Sequence, residues 1–326
     1  MQVVERTQGR GTFIRQNAFL QAKPVKNGFT TIALILPDFS DAFGLQMVYA
    51  VEARCAELGW YCIIKRTFGQ QATEETTITE LLERGIDGFV IFPVHGEHYN
   101  PVLLKTVLEG LPIVLVDRYL PGIPATAVVS DNRTAAQQLT EHLIELGHSQ
   151  IAFLSPPVLH TSALEERLEG YNNALLKHNL QALRFSELTA TLPARLKPEN
   201  IAQDQHALQD FLETHPITAF VCSEYNLALE VHQFLTSRGK RIPQDYSIVC
   251  FDSPSNPLEP PRFTHIRQDE SQIGKNAIDL INAKRQGQPS STYRHVIPCI
   301  LIEGRSTKAL VKASKPAVRP KTKVNH

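Results

Sequence analysis

The chain has 326 residues, with 42% hydrophobic and 20% charged positions and 33 basic against 33 acidic side chains. That composition excludes a disordered chain, and the zero net charge gives no overall attraction to nucleic acid or membrane surfaces. The length suits two lobes of ordinary size better than one core. No apolar run reaches the ~20 residues of a spanning helix, and the start lacks the apolar core of a secretory signal, so a cytoplasmic protein without membrane partners is expected. The five cysteines, Cys55, Cys62, Cys222, Cys250 and Cys299, are scattered outside any Cys-x-x-Cys pair, which predicts reduced structural thiols.

In chain order, residues 2–15 alternate and then turn (VVERT, QGRG, TFIR), and Gly9 and Gly11 can take positive φ, which predicts a tight basic β-hairpin. Residues 16–28 lack periodicity, contain Pro24 and read as a linker. From Thr30 the texture becomes strand–helix alternation. TIALILP is a buried strand, and a helix follows from about Phe43 to Leu58 with Gly59 as its stop. YCIIKRT is a strand, and ATEETTITELLERG is a helix capped by Thr73 and ended by Gly85. DGFVIFP is a strand, NPVLLKTVLEG a helix with Pro101 in its first turn, and PIVLVD a strand. Downstream, TAAQQLTEHLIELGH, SALEERLEGYNNALLKHN, QDQHALQDFLETH and LALEVHQFLTSRG are helices, while IAFLSP, TAFVCS and YSIVCFD are strands. This pattern predicts two α/β lobes, each a doubly wound parallel sheet. The stretch after Arg305 is basic, carries two prolines and no acid, and is expected to be disordered.

Open α/β sheets present ligands at the C-terminal ends of their strands, where the strand order switches. In this sequence those ends carry PDFSDAF (Phe39, Ser40, Asp41), VDRY (Asp117, Arg118), SDN (Ser130 to Asn132), SPP, CSE (Ser223, Glu224) and FDS (Asp252, Ser253). Carboxylates, hydroxyls and aromatic rings in one place suit a hydroxyl-rich ligand such as a sugar. Helix capping is the competing role for each residue taken singly. The chain lacks a phosphate-binding loop, a nucleophile elbow and a dinucleotide glycine fingerprint, so no catalysis and no cofactor are expected. HGEH, His95 to His98, offers two histidines with no further ligand nearby and reads as a solvated loop, so no metal is expected.

From about Thr30 to Arg305 the sequence resembles the effector domain of LacI-type regulators, a fold shared with type I periplasmic sugar-binding proteins. The resemblance rests on PDFSDAF, LLERGIDGFVIFP, PIVLVDR, SDN before a helix, HLIELGHSQIAFLSP, ERLEGYNNAL, RGKRIPQDYSIVCFD and THIRQ followed by Gly274. It implies an effector cleft between the lobes, with Asp41, Asp131, Asp252 and Gln268 near it, and a homodimer. The family often has an arginine where Glu165 stands, two positions before Arg167, and Asn-Asp where Ser223-Glu224 stands, so Phe39, Ser40, Glu165, Arg167, Ser223 and Glu224 complete the candidate effector site.

ERTQGRGTFI resembles the wing of a GntR-type winged helix, which implies DNA contacts from Arg6, Arg10 and Arg15. The three helices that precede such a wing, including the recognition helix, are absent ahead of it here. A misplaced start codon or truncated gene is therefore expected, with DNA a partner of the full-length form and specific operator binding not expected of this chain alone. The implied architecture is a type I periplasmic-binding-protein-like pair of lobes joined by three crossovers, near 150–151, 264–267 and 287–292. The expected divisions are a wing at 1–15, a linker at 16–28, an N-terminal lobe from 29–150 plus 266–288, a C-terminal lobe from 151–265 plus 289–305, and a tail at 306–326. The expected function is a ligand-responsive transcription regulator, with a sugar-binding protein of a transport system as the alternative.

Overall fold

The computed structural model describes residues 29–310 apart from 95–98, 158–160, 187, 189–197, 255, 257 and 289–292, together with the backbone of 4–7 and 11–14. In the N-terminal segment β1 (Val4–Thr7) and β2 (Gly11–Ile14) pair antiparallel, with Val4 opposite Ile14 and Thr7 opposite Gly11. Arg6 lies in β1. Arg10, Arg15, the linker 16–28, the histidines His95 and His98, and residues 311–326 lie outside the described residues.

The first lobe contains β3 (Thr31–Leu36), α1 (Leu45–Glu57), β4 (Tyr61–Arg66), α2 (Gln71–Glu83), β5 (Gly88–Ile91), α3 (Pro101–Leu108), β6 (Ile113–Val116) and β7 (Ala127–Ser130). It also takes α8 (Glu270–Arg285) and β13 (Arg294–Ile297) from near the end of the chain. Its sheet runs β13-β7-β6-β5-β3-β4, all parallel. Strand alternation divides the core. Ile32, Leu34 and Leu36 of β3 pack with Val51 of α1 and Ile278 of α8, while Ala33 and Ile35 pack on the other face with Ile78 of α2 and Leu103 of α3. Pro101 stands at the first position of α3, where Asn100 accepts hydrogen bonds from the N–H groups of Val102 and Leu103. The expected Thr73 cap is corrected: α2 begins earlier, its N-cap is Gln70, and Thr73 already lies in the first turn.

The second lobe contains α4 (Asn132–Glu145), β8 (Ile151–Leu154), α5 (Ser162–Lys177), β9 (Leu183–Phe185), α6 (Pro198–Thr214), β10 (Ala219–Cys222), α7 (Tyr225–Ser237), β11 (Ser247–Phe251), β12 (Thr264–Arg267) and β14 (Ile300–Ile302). Its sheet runs β14-β12-β11-β10-β8-β9, parallel except for β14, which is antiparallel to β12. The crossings differ from the expected ones. The chain passes between lobes after β7 at 130–131, after β12 at 268–269, and between β13 and β14 at 298–299. The boundaries at 150 and 266 and the placement of β13 are therefore corrected. The reason is which core each element joins: α4 buries Ala135, Leu139 and Leu143 against Phe153, Tyr171 and Val249 of the second lobe, and β13 pairs with β7 of the first. Two crossings are tied together where Asp131 N–H donates to the Ile297 carbonyl at 2.9 Å.

The expectation of disorder from residue 306 is also corrected for its first part. Ser306 is 1% exposed, its hydroxyl receives the Thr264 N–H and donates to the Ile248 carbonyl, and Leu310 N–H bonds the Leu146 carbonyl at 2.8 Å. His148 anchors this stretch from below through Thr218, Ser247 and the Lys308 carbonyl. A basic composition does not keep a segment disordered when its backbone groups find buried partners.

Candidate ligand-binding cleft

The strand ends of the two lobes face each other across a cavity of about 130 Å³. Ser40, Phe43, Phe92, Asp117 and Arg118 line it from the first lobe, and Arg167, Glu224, Tyr225, Asn226 and Asp252 from the second, with Gln268 at the crossing. A larger hollow of about 610 Å³ continues past Ala42, Asp252 and Gln268 toward Asp41 and Glu270.

Local structure sets each side chain. Gly44 takes φ +94 at the start of α1, and a Cβ there would sit 2.8 Å from the Phe39 Cβ, so only glycine fits the turn that carries Ser40 and Phe43. Glu270 holds this turn from the far end of the chain by accepting the Gly44 N–H at 2.7 Å, and burial pushes its carboxyl up to about 7. Gly170 lets α5 approach α4, since a Cβ would lie 2.1 Å from the Arg133 carbonyl oxygen. That approach brings Arg167 Nε to Asn132 Oδ1 at 2.8 Å and Nη1 to the Ser223 carbonyl at 2.6 Å, with the guanidinium 3.8 Å over the Phe251 ring.

The charges are mostly carboxylates. Asp117 is 5% exposed at φ 65, and burial raises its carboxyl against the pull of Arg118, whose Nε lies 3.4 Å away. Arg118 also donates to the Pro93 carbonyl, stacks 4.7 Å over Phe92 and is itself lowered by burial. Asp252, at φ 66, is pushed up to about 8 by burial, partly opposed by Arg167 and by the Gln268 side-chain amide, which donates to both carboxyl oxygens at 3.0 Å. Gln268 Oε1 is buried with no hydrogen-bond partner among the described residues. Phe43 and Phe92 meet edge to face at 6.2 Å and give the cleft an aromatic wall.

Of the sequence candidates, Ser40, Arg167, Glu224, Asp252 and Gln268 line the cavity, and Asp41 lines its continuation. Phe39 packs against the first-lobe core instead. Asp131 caps α4 by accepting the Thr134 N–H at 3.1 Å. Ser223 is fully buried beneath the floor, where its carbonyl serves Arg167. Glu165 is exposed and lines a separate hollow with Glu169 and Arg184, because two residues along a helix turn the side chain about 200° from Arg167. Sequence reasoning placed Asp117 and Arg118 at a strand end but left them out of the site, and it missed Phe92, Tyr225 and Asn226. The signal was present: each follows directly on a strand end or opens the helix after one. Among the described residues no group of three metal-ligating side chains converges, and no helix is long and apolar enough to cross a membrane.

The profile of a family described as periplasmic binding proteins and sugar binding domain of LacI family matches residues 30–303. The transcriptional repressor CytR of Escherichia coli K12 is 28% identical over 295 residues, covering 87% of this chain and 81% of that one. A LacI family transcriptional regulator from Enterococcus faecium with bound ribose has a TM-score of 0.71 at 21% identity, covering 86% of this chain and 100% of that one. The Lac repressor dimer bound to operator has a TM-score of 0.69 at 22% identity, covering 87% and 96%. The hairpin Val4–Ile14 lies ahead of the matched region.

Proposed function

The chain belongs to the family of periplasmic binding proteins and LacI-type sugar-binding domains, and from that premise we propose a ligand-responsive transcription regulator whose interlobe cleft takes a small polar effector, a sugar or sugar derivative. The observation that carries this reading is Gln268 Oε1, a buried acceptor without a partner beside Asp252. Such an atom costs ~1–3 kcal/mol until a donor reaches it, and a sugar hydroxyl is a donor of the right size. The same hydroxyl-rich ligand suits Asp117, Glu224 and Asp252 as further acceptors and Phe43, Phe92 and Tyr225 as cover for its apolar face. The curated relative is a repressor, which favours regulation in the cytoplasm over a transport role. Effector binding that closes the lobes shifts the regulator between two states, with coupling typically ~1–3 kcal/mol.

The antiparallel pair β1 and β2 is compatible with a GntR-type wing, whose sequence offers Arg6, Arg10 and Arg15 as candidates for DNA phosphates. A second copy of this chain fits the edge strand β4, where Tyr61 and Ile64 are exposed and Phe29 stacks edge to face on Tyr61, an apolar edge that sheets normally cover. Ile64→Lys is expected to turn a sedimenting dimer into a monomer; unchanged sedimentation would count against that edge.

The effector reading is tested by thermal shift with D-ribose, D-xylose, D-glucose, D-galactose, cellobiose and gluconate. At least one is expected to raise the melting temperature of the protein and to lose that effect in Asp252→Asn. Asparagine is the appropriate replacement because it tolerates the left-handed backbone at this position. Silence across the panel would overturn the sugar assignment.

A further inference from the structure

Outside the effector cleft, side-chain contacts among the described residues join the lobes directly. Tyr119 N–H, just past β6 in the first lobe, donates to Ser162 Oγ at the start of α5 in the second at 3.0 Å. The Tyr119 hydroxyl donates to Glu166 Oε1 of α5 at 3.1 Å. Arg294 of β13 reaches the same Glu166 oxygen at 3.2 Å, with its guanidinium 4.8 Å over the Tyr119 ring. None of these four residues lines the cleft.

We propose that Glu166 is a positioning residue for the effector: with Tyr119 and Arg294 it latches the lobes closed and so sets the geometry of a cleft it does not touch. The helix dictates the division of labour. Successive residues of α5 turn by about 100°, so Arg167 enters the cleft, Glu166 faces the first lobe and Glu165 points away. The chain on the other side is equally short. Tyr119 adjoins Arg118 and stands two residues past Asp117, so holding Tyr119 on α5 holds both cleft residues opposite Arg167 and Asp252. Arg294 enters the latch from β13, which runs straight into the crossing at 298–299. Glu166 is mostly buried, its side chain 12% exposed, so its two donors act in a partly dry setting where charge-assisted hydrogen bonds are stronger than on an open surface. A closed form held by protein contacts also lowers the ordering cost left for the effector to meet.

The latch rests on the proposed function only in naming what closure serves, and its test needs no effector. Hydrogen exchange in the purified chain, followed residue by residue by NMR, has a built-in reporter, because the Tyr119 amide is protected by an atom of the other lobe. Glu166→Lys sets like charges against Arg294 and is expected to speed exchange at Tyr119 about tenfold, equivalent to about 1.4 kcal/mol of lost closure. The Asp117 amide, bonded to Val128 within the first lobe, should keep its rate. Combining Glu166→Lys with Arg294→Glu restores an opposite pair and should return Tyr119 to its original rate, which no merely structural role of Glu166 would predict. If Glu166→Lys does not fold, Tyr119→Phe removes one latch bond and should speed exchange at residue 119 about threefold. Unchanged exchange in either single variant, or no recovery in the double variant, would overturn the latch.

Discussion

Asp117 and Asp252 end the third strand of their respective sheets, both in left-handed backbone and both nearly buried, with their N–H groups bonded to the neighbouring strand at Val128 and Ile266. They differ in what answers their charge. Asp117 has Arg118 beside it in the chain, a cation in turn fixed by Phe92 and the Pro93 carbonyl. Asp252 is opposed by Arg167 of its own lobe, but the group bonded to it is Gln268, a neutral amide delivered from the crossing between lobes. One lobe therefore answers its aspartate with the adjacent cation, while the other shares that task between its own Arg167 and an amide from the hinge.

Removing the local balance should have the largest effect. Arg118→Met keeps a side chain against Phe92 while leaving Asp117 and the buried Glu74 without their cation, and is expected to cost about 3 kcal/mol in urea denaturation. A cost under about 1 kcal/mol would mean that Asp117 is not balanced by Arg118.

A middle effect, and of opposite sign, is expected from Asp252→Asn. The native carboxyl stands at about 8 when folded and near ~3.9 when unfolded, so the folded form holds a proton that the unfolded chain releases. This group therefore lowers stability progressively as pH rises from about 4 to about 8. The asparagine variant, free of that loss, should gain on the native protein across this window and level off above it. A difference that does not vary with pH would contradict the assignment. Gln268→Leu should have the smallest effect, about 1 kcal/mol for the lost donor offset in part by relief of the unpaired Oε1, and it should steepen the same pH dependence, read from thermal midpoints at pH 5 and 8.

The two-lobed alternation was readable because buried parallel strands and amphipathic helices announce themselves locally, as TIALILP and SALEERLEGYNNALLKHN do. The sheet an element joins is not a local property, and so α4 and β13 were assigned to the wrong lobes. Strand-end position revealed Asp252, and the family resemblance pointed to Gln268. Side-chain direction around α5 separated Arg167 from Glu165, a distinction that needs the helix phase relative to the cleft. Asp131 met the same difficulty, since a capping aspartate and a ligand-binding one look alike in sequence. YCIIKRT was readable as a strand, but not its place in the sheet: β4 is an edge, and Tyr61, Ile63 and Ile64 are exposed on it.

In the proposed effector mode one ligand is gripped from both lobes. Hydrogen exchange measured with and without whichever sugar gives a thermal shift tests this most directly. Protection is predicted to appear together at residues 117–119 and 252–253, with the outer hollow at Arg184 and Ser186 unchanged. Protection confined to one lobe, or found at that outer hollow instead, would contradict it.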